Sequence, residues 1–471
     1  MTLGWSSWMS PRRVLIISEY VAPVQHIAAI RWTKYAKYLS KECGYDVTIL
    51  TNRKCFDGGR LDLLPYKYDS SIENDSRWYS TEYITKSFSQ SFSNTIFNIG
   101  FRALDHIRSV SANTASSSTS EDSRGKAAAD ALFRRNIPET IYEMVGRWCG
   151  NAIVNAGWRS DLPWDSFDVI ISSYSPLWTH DLALKIKKEN PDIPWIADFR
   201  DAIVNSVRTD TAENRVATRR ITEAADVVLG AVDGVQSLLF LNDEPKFAEL
   251  TNGFDDEDMV GSQIASLDKF RISYTGTLYA DSDKKSDLTP LLRVMNELID
   301  SGEMMAEDVE FSYAGMSSYL FRGMAEMYPN VPIVDHGLIS RDAAMSLQES
   351  SCALVVACWN TTIMRSGRTA KIYEYMGRGL PIIGLIAGDV PHSGMRDFIE
   401  ECRLGFCYEE ADKMTFQGLK NYVLGLYMDW KEMGRPRSAR KLSPEVMRYS
   451  YRSLVHELDR IIRELCHEQD A

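Results

Sequence analysis

The 471-residue sequence contains no Cys-x-x-Cys pair. Its cysteines, Cys43, Cys55, Cys149, Cys352, Cys358, Cys402, Cys407 and Cys466, lie far apart along the chain. That spacing speaks against a zinc site of paired thiolates and against a secreted disulfide framework, and it fits a reducing cytosol. Residues 1–11 carry Trp5 and Trp8 but no apolar core of signal-peptide length. No apolar run approaches the ~20 residues that span a bilayer, so any membrane contact is expected to be peripheral, at the inner face. Basic excess is also missing. The net charge is −12, with 29 Lys+Arg against 31 Asp+Glu in residues 1–250 and 24 against 34 in residues 251–471. Neither half offers the basic face of a duplex-binding protein, so nucleic acid is not an expected partner. No metal-ligand cluster and no short repeat stand out, and neither a resident metal nor a permanently bound cofactor is implied.

What is present is ample apolar material, 44% of residues, in a chain longer than one core usually supports. Short β-branched runs alternate with helical patterns, as in parallel sheets with crossover helices. Val14-Leu15-Ile16-Ile17 reads as a first strand. Trp32, Tyr35, Ala36 and Leu39 then recur at helical spacing up to a stop at Gly44, and Val47-Thr48-Ile49-Leu50 reads as a second strand. Residues 55–145 give few strand signals, and the Ser/Ala/Asn/Thr-rich stretch 109–126 reads as a mobile inserted loop. The rhythm resumes at residues 168–171, 195–197 and 227–229, and an Asn-Gly turn signal at Asn252-Gly253 closes the first domain. A second series follows, with strands expected near 270–274, 309–313, 331–334, 353–356 and 381–385, and helices at 288–299 and 341–348. The expected organisation is therefore an α/β protein of two Rossmann-like domains, 11–255 and 268–440, facing a cleft. An amphipathic helix within 441–471 would pack back on the first domain.

Ligands of such sheets bind beyond the carboxyl ends of the strands. The segment 365–383 reads as a basic turn, a short helix, a glycine stop and a buried strand. Lys371 lies one turn before Glu374 and Tyr375, so these side chains can share a face. The helix start could receive phosphate and the carboxylate a ribose diol. The plain alternative is a surface helix with an ordinary Lys–Glu pair. Gly276 follows a strand, where it either makes a tight turn or lets backbone approach phosphate. Lys284 and Lys285 sit in an acidic polar loop. Arg200 ends a strand between Asp198 and Asp201 and can pair with either. His26 and His180 are candidates on the acceptor side, although a lone histidine is more often structural.

The segment 365–383 resembles the donor-binding motif of glycosyltransferase family 4, the retaining enzymes of GT-B fold. Glu374 matches the second of that family's two glutamates, which binds the donor ribose, while Ser366 stands where the first is usual. In order along the chain, Pro23 with Arg31-Trp32, Asp168-Val169-Ile170 with Ser175-Pro176 and His180, Asn252-Gly253-Phe254-Asp255, and Tyr274-Thr275-Gly276-Thr277 resemble further family blocks. The resemblance implies an acceptor-binding first domain and a donor-binding second domain. Gly276, Thr277, Lys284 or Lys285, Arg368, Lys371 and Glu374 would hold a UDP- or GDP-sugar. Arg200 and Asp201 would occupy the places of a catalytic His-Asp pair, with Arg200 acting electrostatically. The acceptor would be a glycan or lipid-linked oligosaccharide of cell-surface polysaccharide biosynthesis. The rivals are a nucleotide-sugar epimerase of similar plan and a two-lobed, non-catalytic sugar-binding protein.

Overall fold

The computed structural model describes residues 11–24, 26–52, 69–84, 150–204, 209–231, 235–241, 244–258, 267–280, 285–362, 368–435 and 442–470. The 109–126 stretch, Lys284 and Ser366 fall outside them. Seven strands form the first sheet: β1 (Arg13–Ile17), β2 (Asp46–Thr51), β3 (Ser80–Tyr83), β4 (Val169–Tyr174), β5 (Trp195–Phe199), β6 (Val227–Gly230) and β7 (Phe247–Glu249). Their order is β3-β2-β1-β4-β5-β6-β7, and every pairing is parallel. The second sheet holds β8 (Phe270–Thr275), β9 (Val309–Ala314), β10 (Ile333–Asp335), β11 (Ala353–Trp359), β12 (Ile382–Ala387) and β13 (Gly405–Glu409). It is again all parallel, in the order β10-β9-β8-β11-β12-β13. In each sheet the chain winds outward from its first strand and then restarts on that strand's other side. The switch points lie between β1 and β4 and between β8 and β11, and crevices open at the carboxyl ends of such strands.

Strands β1, β11 and β12 are buried on both faces, which is why they read as apolar runs, whereas β8 (Phe270–Thr275) alternates apolar and polar residues. Helix α1 (Ile27–Cys43) buries Trp32, Tyr35 and Leu39 against β1 and β2 and ends at Gly44, whose φ of 77° suits a residue without Cβ. The last helix, α10 (Tyr451–Asp470), returns from the second domain to this same core. Its Tyr451, Val455, Leu458, Ile461 and Ile462 are buried there, and Tyr451 meets Tyr35 edge-on with centroids 5.1 Å apart. None of the described helices is long and apolar enough to cross a membrane.

The chain thus crosses between domains twice, and the crossings touch. Phe254 and Ser450 form a parallel β-bridge, with Phe254 N–H donating to the Tyr449 carbonyl at 3.2 Å and Tyr451 N–H to the Phe254 carbonyl at 2.8 Å. A Cβ on Gly253 would stand 2.6 Å from the Tyr449 carbonyl oxygen, so only glycine allows this approach. Beside the bridge, Asp255 accepts from Lys34 (2.6 Å), Lys37 (2.7 Å) and Tyr38 (2.5 Å) of α1. The Asn-Gly-Phe-Asp sequence therefore builds the junction between the domains.

Candidate functional site

In the second domain, β8 delivers Gly276 to the switch point with φ +144°. A Cβ there would lie 2.0 Å from Lys371 Nζ, so the ammonium fills the place that a side chain would take. Lys371 belongs to α7 (Ala370–Met376), and its Nζ stands 4.1 Å from the centroid of the Tyr274 ring. Burial pulls its pKa below the usual lysine range, partly opposed by Tyr375 and Glu374. Tyr375 fastens α7 to the strand end: its hydroxyl accepts from Thr275 N–H at 3.1 Å and reaches Thr275 Oγ1 at 2.9 Å. The sequence suggests a phosphate seat at the start of this helix. The cation beside the glycine is Lys371 itself, from the first turn of the seven-residue α7.

Glu374 does not form the ordinary surface pair with Lys371 that was the plain alternative. Its Oε2 accepts from Arg341 Nη1 at 2.8 Å and its Oε1 from Gln348 Nε2 at 2.6 Å, both on α6 (Arg341–Glu349). Burial alone would raise its pKa, but Arg341 and Gln348 more than offset this and hold it below the usual carboxylate range. Gln348 also donates to Thr275 Oγ1 at 2.9 Å, tying the carboxylate to the residue before Gly276. Glu374 and Arg341 face an interdomain crevice whose other wall includes Ile27, Ile30 and Lys34 of the first domain.

The first domain gathers a second group. Tyr20, after β1, stacks on His26 with centroids 4.5 Å apart, and the Arg200 guanidinium lies 5.6 Å from the Tyr20 centroid. Arg200 pairs through Nε with Asp201 at 3.1 Å. Asp198 is committed elsewhere: it accepts from Arg31 Nη2 (2.7 Å), Trp32 Nε1 (2.8 Å) and Ser173 Oγ (2.7 Å) in the core. His26 Nδ1 accepts from Ala28 N–H at 3.1 Å, which leaves the ring proton on Nε2. Burial, helped by Arg200 and opposed by Asp201, lowers the His26 pKa to about 4, so the ring is neutral at pH 7.

Several expected site residues stand apart from these groups. His180 is fully buried among Tyr174, Trp195 and Phe199, its Nδ1 2.6 Å from Ser172 Oγ, and no acceptor can reach it. It is a core residue, drawn inside by the apolar face of α2 (Trp178–Glu189). Arg368 makes an ion pair with Glu249 of β7, across the domain boundary. Lys285 is half-exposed and paired with Asp287 at 2.9 Å. Thr277 offers its carbonyl to Tyr274 Oη at 2.7 Å. Arg341 and Gln348 escaped sequence reasoning, because nothing local ties them to a carboxylate 33 and 26 residues away.

No protein-family model and no curated protein sequence matches the chain. Solved structures do match in shape. The Candida albicans trehalose-6-phosphate phosphatase N-terminal domain aligns over 98% of both chains with a TM-score of 0.58 at 12% identity. An E. coli trehalose-6-phosphate structure bound with UDP-2-fluoro glucose aligns over 96% of this chain and 98% of its own, with a TM-score of 0.52 at 10% identity. A putative UDP-N-acetylglucosamine 2-epimerase from Listeria monocytogenes aligns over 98% of both chains with a TM-score of 0.50 at 11% identity. At such identities the likeness establishes the fold, which is GT-B: two Rossmann-like domains facing a cleft.

Proposed function

We propose that the protein is a retaining glycosyltransferase of family 4 type, moving a sugar from a UDP- or GDP-sugar to a glycan or lipid-linked acceptor. The observation that carries this reading is Lys371. Its ammonium is buried, has an aromatic face on one side and side-chain-free backbone on the other, and stands at the switch point of the second sheet. A cation so held is matched to the diphosphate of a nucleotide, whose charge grows as the sugar–oxygen bond breaks. Glu374, kept ionised, would accept from the ribose hydroxyls with its remaining lone pairs. That an E. coli structure of the same fold is bound with UDP-2-fluoro glucose supports a nucleotide-sugar donor.

In the first domain, Arg200 would stabilise the departing phosphate and not move protons, since guanidinium stays charged. His26, neutral with its proton on Nε2, would donate a hydrogen bond to sugar or acceptor. The acceptor-side role of this domain, the cell-surface pathway and a cytoplasmic, membrane-peripheral location belong to the same reading. A second reading, nucleotide-sugar epimerisation, is favoured by the epimerase among the structures of this fold. Incubation with UDP-, GDP- and dTDP-sugars, with and without lipid-linked acceptors, separates the two. Acceptor-dependent release of nucleoside diphosphate is expected. Isomerised donor would replace this reading with the second, and no turnover or binding of any donor would remove both.

A further inference from the structure

Arg341 opens α6 and is matched by no motif, yet it stands where the two domains and the candidate nucleotide carboxylate meet. One side of its guanidinium, Nη1, donates to Glu374 at 2.8 Å. The other side, Nε, lies 3.8 Å from Asp69 Oδ2 of the first domain, close enough for attraction and too far for a hydrogen bond. That Nε–H is buried without an acceptor. Asp69 is itself buried, and its N–H donates at 2.8 Å to the carbonyl of Pro23, in the loop that carries Tyr20 and His26. A buried carboxylate keeps its charge only where a cation and hydrogen bonds replace water. Arg341 supplies both to Glu374, and Gln348 fixes the second oxygen.

We infer that Arg341 is the positioning residue for Glu374, and that through Asp69 it makes the grip on the donor nucleotide depend on where the first domain stands. The inference rests on the reading of Glu374 as the ribose carboxylate. The fork geometry suits it: a guanidinium can address two carboxylates in different directions, whereas an ammonium is a single point of charge. The charged groups that bear on Glu374 are few. Arg341 comes from α6, Lys371 lies on α7 itself and Arg378 just beyond its end, while Asp258 and Asp69 act on it through Arg341. Lys34, on the facing wall, is committed to Asp75, Asp255 and Asp258. Without Arg341, the largest influence opposing burial is gone and the Glu374 pKa rises, with Gln348 and Arg378 left to hold it down.

The test is calorimetric binding of UDP and of GDP between pH 6 and 8.5, to wild type, Arg341→Gln, Arg341→Lys, Glu374→Gln, Asp69→Asn and the double variants. The nucleotide that binds wild type should do so with little pH dependence. Arg341→Gln should weaken it by about tenfold, the loss of a charge-assisted hydrogen bond, with affinity falling further as pH drops. Arg341→Lys should weaken it by about threefold with a flat pH profile, since charge remains and the fork is lost. Adding Arg341→Gln to Glu374→Gln should cost little more than Glu374→Gln alone. Asp69→Asn should shift affinity in wild type and have no effect on top of Arg341→Gln.

Wild-type affinity and pH profile in Arg341→Gln would overturn the positioning role. Where that variant does not fold, unchanged affinity in Arg341→Lys would do so. An Asp69→Asn effect that is equal in both backgrounds would overturn the link to the first domain. Wild type binding neither nucleotide would sink the functional reading and this inference with it, an outcome distinct from the other two.

Discussion

At the scale of single residues, the site depends on contacts too close for substitution. Gly276→Ala would drive a methyl group into Lys371 Nζ and would strain a backbone at φ +144°. We expect nucleotide affinity to fall by about tenfold, or about 1.4 kcal/mol. Lys371→Met should cost a similar amount, and the double variant less than the sum, because both changes remove the same cation from the same place. Isothermal titration with UDP and GDP checks this, and full additivity would count against it. The histidines yield a second expectation. Burial holds His26 at about 4 and His180 at about 3, whereas the unfolded chain titrates near 6.5. Both groups are depressed on folding, so their contribution is intact above pH 6.5. It is lost as pH falls through this window, by about 1.4 kcal/mol per unit for each histidine. Urea midpoints between pH 7 and 4 should show that slope, and His26→Gln should make it shallower by about one proton. The sequence offered both histidines as acceptor-side candidates. What separates them is burial, which a single position in a chain does not reveal.

At the scale of elements, strands such as β1 and β12 were legible because both of their faces are covered by apolar side chains, and α1 because its Trp32, Tyr35, Ala36 and Leu39 recur at helical spacing, although its Arg31, Lys34 and Lys37 are buried too. The strands that gave no signal, β3, β7 and β13, all lie at sheet edges and are short or half polar. The candidate site segment around Lys371 and Glu374 was legible as a segment, but its partners were not: Arg341, Gln348 and Thr275 meet it only after folding. The Asn-Gly-Phe-Asp motif was legible as a boundary, and its chemistry proved to be that of a joint. Asp255 is buried between Lys34 and Lys37, which hold its pKa below the usual range although burial pushes it upward. Asp255→Asn would remove the carboxylate that both ammonium groups share, while Asp75, Asp258 and Glu257 still face them, and a loss of about 1.5–3 kcal/mol is expected. Chemical denaturation measures it. Because the cluster is shielded from solvent, raising the salt concentration should change that loss little.

At the scale of the whole molecule, the first domain is completed by the end of the chain. Six side chains of α10, Cys466 among them, are buried in its core. At about 1.5–3 kcal/mol each, removing them exceeds much of the stability of an ordinary domain. Truncation after residue 450 should therefore unfold the first domain, while the second sheet keeps the cores on both its faces, to which Phe254, Val446 and Tyr449 still contribute. Limited proteolysis should then leave a resistant fragment from the second domain, and equal resistance of both halves would contradict the expectation. The same return of the chain has a consequence for biosynthesis. A ribosome releases β1 hundreds of residues before the helix that seals it, so the sheet made first must wait with one apolar flank open. The domain made second has its strands and most of its core within residues 267–435 and can fold while the first still waits. Synthesis would thus finish the protein from the middle outward, and the growing chain's greatest need for chaperone cover would fall on its oldest part.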